Sequence, residues 1–156
     1  MLSLHAHTFD LRLKSLNKEG TFTGYAAVFH VVDSDRERIM PGAFHTTLKQ
    51  WQEQYTMPPL LWQHRLDVPI GRWLSMKEDP RGLWVQGQLL LNIQQAQEAH
   101  TLLKAGVVKG LSIGFRPVHA GVDKTTKVRS FYQVDLVEVS LVTLPANREA
   151  GILDIL

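Results

Sequence analysis

The sequence contains no cysteine. That absence excludes disulfides, thiolate zinc sites and a cysteine nucleophile together, and it fits a cytosolic or intraparticle setting. No apolar run approaches the ~20 residues a helix needs to span a membrane. The first residues, Met1-Leu2-Ser3-Leu4-His5, lack the basic start and long apolar stretch of a signal peptide. A strong charge of one sign is missing too. The net charge is +2 and the isoelectric point about 9.0, with cations scattered among acids as in Asp33-Ser34-Asp35-Arg36-Glu37-Arg38. Nucleic-acid surfaces carry a clustered basic stripe; here the charges describe a solvated mixed surface. There is no Walker loop or Rossmann fingerprint, and the Gly-x-Ser-x-Gly match at Gly110-Leu111-Ser112-Ile113-Gly114 lies in a strand pattern without the strand–turn–helix context of a nucleophile elbow, which argues against an α/β-hydrolase. Cofactor motifs and complete metal sites are lacking: His5-Ala6-His7 is an incomplete ligand set, and Asp33, Asp35 and Glu37 lack the EF-hand spacing. Internal repeats, low-complexity tracts and linkers are absent.

What remains is a chain of 156 residues, 44% hydrophobic and 21% charged, the size and composition of one domain over residues 1–156. Residues 8–16 and 20–29 predict a first hairpin, its second arm rich in strand formers and its turn at Asn17-Lys18-Glu19-Gly20. A helix is expected from Pro41 to Tyr55, where Phe44, Leu48, Trp51 and Tyr55 recur at helical spacing and Pro58-Pro59 ends the pattern. Leu60–His64 predicts a short strand, and 70–77 with 83–90 a hairpin. A second helix is expected from a cap at Asn92 to a stop at Gly106. Strands at 110–117, 127–133 and 134–144 follow, with a loop or a loose hairpin tip at 119–126 and a break at Pro145-Ala146-Asn147. Roughly seven strands and two helices imply an α+β class: a mostly antiparallel, barrel-like β core, partly closed, with about two flanking helices.

Three positions conflict with the apolar pattern around them. Alternation along Leu60-Leu61-Trp62-Gln63-His64 puts His64 on the face of Leu60 and Trp62, where a hydrogen-bonded core histidine is the commoner occupant. In Gly110-Leu111-Ser112-Ile113-Gly114-Phe115, the residues Leu111, Ile113 and Phe115 share one face, and Ser112 shares the other with two glycines. Those glycines either leave the hydroxyl open to a substrate backbone or mark a bend in a barrel strand. Glu138 interrupts the apolar run from Val134 to Val142. An unpaired buried carboxylate costs several kcal/mol, so Glu138 faces solvent at an edge or holds a partner such as a histidine or arginine. A serine needs a base to take its proton, and an acid can orient that base. Taken together the three form a candidate Ser-His-acid set, although only geometry defines a triad.

At these residues the sequence resembles the prohead (capsid-maturation) serine proteases of tailed bacteriophages. The resemblance lies in Gly24-Tyr25-Ala26-Ala27-Val28-Phe29, Ile39-Met40-Pro41-Gly42-Ala43-Phe44, Leu61-Trp62-Gln63-His64 with Pro69-Ile70-Gly71, Gly110-Leu111-Ser112-Ile113-Gly114-Phe115, and Glu138-Val139-Ser140-Leu141-Val142-Thr143 with Pro145-Ala146-Asn147. These segments stand in the family's order and cover most of the chain.

The resemblance implies a fold related to the herpesvirus assemblins, with His64 as general base and Ser112 as nucleophile. Assemblins use a second histidine after the serine. No histidine stands in the last strand here, so Glu138 is the expected third member and Asp135 the fallback. Oxyanion donors are sought at the turn Asn147-Arg148. The implied substrate is the scaffold protein, or the scaffold-like part of the capsid protein, cut inside the immature prohead in the host cytoplasm, with self-processing and no cofactor. Members often carry a longer C-terminal tail. Self-association or docking on scaffold or capsid protein is expected, and the Phe44, Leu48, Trp51, Tyr55 stripe is one candidate surface, although such stripes more commonly pack a core. The competing expectation is a non-enzymatic phage structural or scaffold-interaction domain with the same fold. The separation of Ser112 and His64 discriminates the two.

Overall fold

The computed structural model describes residues 19–147, 149 and 151–155. The first arm of the expected N-terminal hairpin (8–16) and the pair His5 and His7 lie outside them. In chain order the elements are β1 (Thr21–Val28), β2 (Glu37–Ile39), α1 (His45–Glu53), β3 (Leu60–Trp62), β4 (Arg65–Glu78), β5 (Gly82–Leu89), α2 (Gln94–Lys104), β6 (Gly110–Val122), β7 (Arg129–Val142) and β8 (Ile152–Ile155).

One sheet contains all eight strands. It runs β7-β3-β4-β5-β1-β8, with β6 on the far edge of β7 and β2 on the same edge as β3. Pairing is antiparallel except where β2 and β3 lie parallel to β7. The α+β class and the mostly antiparallel sheet match expectation. Closure does not: among the described residues β6 and β8 remain separate edges, and the sheet is not closed into a barrel. Apolar residues of β1–β7, α1 and α2 bury into one cluster, with edge-to-face contacts between Phe22 and Trp73 and between Phe115 and Phe131.

Strand β7 organises the site-bearing half. Its outer edge pairs with β6 along nearly its whole length. On its inner edge, β2 covers residues 129–131 and β3 covers 139–141. The gap between them is filled by the α1 segment. Val134 N–H donates to the Ala43 carbonyl (3.1 Å), Leu136 N–H to Thr47 Oγ1 (3.0 Å), Trp51 Nε1–H to the Leu136 carbonyl (3.0 Å), and Val139 N–H to the Pro59 carbonyl (3.1 Å). Buried backbone groups must find partners, and here a helix and its flanks supply what a missing strand would have supplied.

Helix α1 is shorter than its apolar periodicity predicts. Gly42 has φ +90, which a right-handed helix does not admit, so Pro41–Phe44 form a turn. Glu78, at the end of β4, fastens that turn by accepting the N–H groups of Gly42 (3.1 Å) and Phe44 (3.0 Å). At the other end Tyr55 adopts φ +53, the left-handed geometry of a helix terminus. Its ring is 98% exposed and leaves the stripe, whereas Phe44 and Leu48 are core residues. Helix α2 is capped at Ile93 with no side-chain bond, so Asn92 is not its cap; Gly106, with φ +74, ends it as expected. The expected strands at 127–133 and 134–144 are one strand, β7. Residues 119–122 belong to β6, which reduces the expected loop to a short tip.

Candidate active site

Strand β3 stops at Trp62, and Trp62 pairs with Arg65 across a two-residue turn made by Gln63 and His64. Both turn residues have positive φ, +52 and +60, the geometry of a type I′ hairpin turn. Neither is glycine, asparagine or aspartate, so the turn carries strain of the kind found at functional sites. It is held from three directions. Gln63 N–H donates to the Leu141 carbonyl (3.0 Å). The Gln63 side chain donates through Nε2 to Thr143 Oγ1 (2.6 Å) and accepts Thr143 N–H at Oε1 (3.1 Å). His64 N–H donates to Ser140 Oγ (3.1 Å). His64 is therefore a turn residue and not a strand residue, and the face assignment drawn from alternation with Leu60 and Trp62 does not apply.

From that turn the imidazole crosses over β7 towards β6. Its Nε2 lies 2.7 Å from Ser112 Oγ, and its Nδ1 is hydrogen-bonded to Glu138 Oε1. The other carboxylate oxygen, Oε2, accepts the hydroxyl of Ser140 (2.6 Å). The three sequence candidates thus form one hydrogen-bonded line running Ser112–His64–Glu138. Ser112 and Glu138 are each 1% exposed, while the His64 side chain is 29% exposed; among the three, only the histidine opens to solvent.

Register explains the line. Ser112 pairs with Ser140 and Gly114 with Glu138, so all four share one face of the β6–β7 ribbon. The opposite face presents Leu111, Ile113, Phe115, Val139 and Leu141 to the core, as strand alternation predicts. Gly114 has a purpose different from an open approach for substrate: a Cβ there would meet Oε1 of Glu138 and come within 2.9 Å of its Cδ and Cγ. The glycine makes room for the carboxylate.

Just beyond, Phe115 pairs with Leu136, leaving Val137 as an extra residue. Such a bulge shifts the alternation, and it brings Asp135, paired with Arg116, to the Glu138 face. There Asp135 lines a cleft of about 320 Å³ with Trp51, Gln54 and Arg116. Glu138, not Asp135, is the carboxylate that meets His64.

Three partners went unrecognised in the sequence: Gln63, Thr143 and Ser140. Only Ser140 carried a usable signal, standing two residues from Glu138 and hence on its face. Of the oxyanion candidates, Arg148 lies outside the described residues. Asn147 is 1% exposed; its Oδ1 accepts Glu149 N–H (3.1 Å), and its Nδ2 has no partner among the described residues. Beside the turn, the Arg65–Asp67 pair (3.1 Å) holds the exposed Asp67 carboxyl below its ordinary value, chiefly through the Arg65 hydrogen bond; an exposed pair of this kind adds little stability. Carboxylate oxygens of Asp33, Asp35 and Glu37 come within 4.8 Å of one another. Asp33 Oδ1 accepts the N–H groups of Asp35 (2.8 Å) and Glu37 (2.9 Å), a loop-fastening role.

The chain has documented relatives. The family model described as caudovirus prohead serine protease matches residues 7–154. The prohead protease of Enterobacteria phage HK97 is 34% identical over 145 residues, covering 92% of this chain and 63% of that protein. The prohead protease of Escherichia phage T5 is 27% identical over 150 residues, covering 94% of this chain and 69% of that one. This chain therefore spans about two thirds of the length of these relatives. The structure of the bacteriophage T4 capsid assembly protease superposes with a TM-score of 0.68 at 10% identity, covering 89% of this chain and 96% of that one, which shows a shared fold.

Proposed function

The chain belongs to the caudovirus prohead serine proteases, and from that premise we propose that it is a serine endopeptidase of phage capsid maturation, cutting scaffold protein or the scaffold-like segment of capsid protein inside the immature prohead, and processing itself. The observation that carries this reading is the Ser112–His64–Glu138 line, with Ser112 Oγ 2.7 Å from His64 Nε2. A structural or scaffold-interaction domain has no need of that line, of the positive-φ turn that carries the histidine, or of the glycine that admits the carboxylate.

Acyl transfer follows from these atoms. His64 Nε2 takes the Ser112 proton as Oγ attacks the scissile carbonyl carbon, and a tetrahedral oxyanion forms. The imidazolium, its Nδ1–H held by the Glu138 carboxylate, passes the proton to the leaving amine as the C–N bond breaks. Water enters, gives its proton to Nε2 and attacks the acyl carbon. Collapse of that second intermediate releases the acid and returns the proton to Ser112. Backbone N–H donors for the oxyanion, each worth ~3–4 kcal/mol in known cases, are sought at Asn147 and its neighbour.

Co-expression of the chain with a capsid or scaffold polypeptide of its phage tests the proposal. Ser112→Ala abolishes processing while thermal unfolding stays close to that of the parent. Undiminished processing by the variant would overturn the assignment.

A further inference from the structure

We propose that Ser140 is a positioning residue that sets the direction of every proton in the catalytic line, taking its own orientation from the main-chain N–H of His64. The inference rests on the serine-protease reading above and extends it by one residue that does not touch the reacting atoms.

Ser140 stands two residues after Glu138 on β7 and is fully buried, 0% exposed. A serine hydroxyl has one proton to donate and lone pairs that accept. Its two partners are the His64 N–H (3.1 Å) and Glu138 Oε2 (2.6 Å). A peptide N–H can only donate. At that contact Ser140 Oγ must therefore accept, which directs its single proton to Glu138 Oε2. An ionised carboxylate accepts at both oxygens, so Oε1 receives the proton of Nδ1. An imidazole with its proton on Nδ1 presents a bare lone pair at Nε2, and that lone pair faces Ser112 Oγ at 2.7 Å. The opposite arrangement, with a proton on Nε2, makes Ser112 an acceptor and prevents its activation.

The same hydroxyl also ties the backbone of the base to the strand of the acid. Gln63 and His64 hold left-handed conformations that L residues adopt at a cost of ~1–2 kcal/mol each. The His64 N–H bond to Ser140 helps to hold that turn over β7. Ring orientation and ring tautomer are thus both referred to one buried oxygen. If the oxygen is lost, Glu138 Oε2 and the His64 N–H lose their partner together.

The test compares Ser140→Ala and the similarly shaped, slightly larger Ser140→Cys, whose S–H is a weak donor, with the parent chain, with Ser112→Ala in parallel. The rate at which a fluorophosphonate phosphonylates Ser112, with loss of fluoride, reports activation of the nucleophile. The imidazole Nδ1–H resonance of His64 reports the tautomer and its partner. Both Ser140 variants are expected to label roughly 10- to 100-fold more slowly, the scale of a misplaced catalytic group, and to shift or lose the Nδ1–H resonance, which Ser112→Ala retains. If Ser140→Ala does not fold, Ser140→Cys decides. Parent-like labelling or an unmoved resonance in the folded Ser140 variants overturns this inference while leaving the serine-protease reading intact. Full processing activity in Ser112→Ala overturns that reading itself.

Discussion

Gly114→Ala is the least intrusive way to disturb the acid without deleting it. The new methyl would meet Oε1 of Glu138 and lie 2.9 Å from Cδ and Cγ. Ordinary carbon contacts begin near 3.5 Å, so the carboxylate must retreat by at least about half an ångström. It cannot do so and still hold both His64 Nδ1 and Ser140 Oγ. A displacement of 1 Å costs about 100-fold in rate, which scales to about tenfold here, or ~1.4 kcal/mol of transition-state stabilisation. The backbone of Gly114 needs no positive φ, and the atoms nearest the methyl belong to a side chain. The stability loss therefore belongs at the low end for overpacking, ~1 kcal/mol, or a fall of about 2–4 °C in melting temperature for a chain this size. Peptide cleavage and thermal unfolding measure the two effects separately. A double-mutant cycle with Glu138→Ala makes the test sharper: once the carboxylate is gone, Gly114→Ala has nothing to push and adds no further loss of activity. Parent-like activity in Gly114→Ala, or fully multiplicative losses in the double variant, would show that Gly114 does not make room for the carboxylate.

Two further perturbations read other parts of the fold. Glu78→Ala strips the N–H groups of Gly42 and Phe44 of their acceptor; a charge-assisted pair at a partly solvated turn predicts a loss of ~1–2 kcal/mol, seen as a lower denaturation midpoint with an unchanged slope, and an unaltered midpoint would count against the fastening role. Burial, and then the hydrogen bond to Asp79, push the Tyr25 phenol up to about 12 from 10.0; because the folded value exceeds the unfolded one, the stability it confers is present below pH 10 and lost as pH rises towards 12. An ultraviolet titration should show one of the three tyrosines ionising late, and Tyr25→Phe should remove that step; Tyr55 and Tyr132 are exposed.

The contrast between residues that were legible in the sequence and residues that were not has physical causes. Ser112 stood out because a strand has two faces, and its neighbours Leu111, Ile113 and Phe115 so plainly belong to the core. Glu138 stood out because a carboxylate in an apolar strand demands a partner, and the partner is a histidine. Alternation places His64 on a core face and fails, because the strand ends at Trp62; its role as base is legible only from the family resemblance of the segments around it. Two consecutive positive-φ residues without glycine or asparagine give a turn no compositional sign, because hydrogen bonds to Leu141, Ser140 and Thr143 hold it, not local propensity. The Val137 bulge likewise left no trace, and without it the relation of Asp135 to Glu138 is misread. Helix α1 was overdrawn because apolar spacing at Phe44 and Tyr55 says nothing of the left-handed residues at 42 and 55 that bound it. Barrel closure depends on whether distant edge strands meet, and no local pattern encodes that.

Ser112, activated by His64, is the nucleophile on which the mechanism turns. Treatment of the full chain with a fluorophosphonate, followed by peptide mass mapping, tests it most directly. A single adduct is expected on the peptide bearing Ser112, absent in Ser112→Ala and formed about 1,000-fold or more slowly in His64→Ala, the scale of losing a base that acts as a unit with its nucleophile. An adduct on another residue, or labelling of Ser112 at the parent rate in His64→Ala, would contradict it.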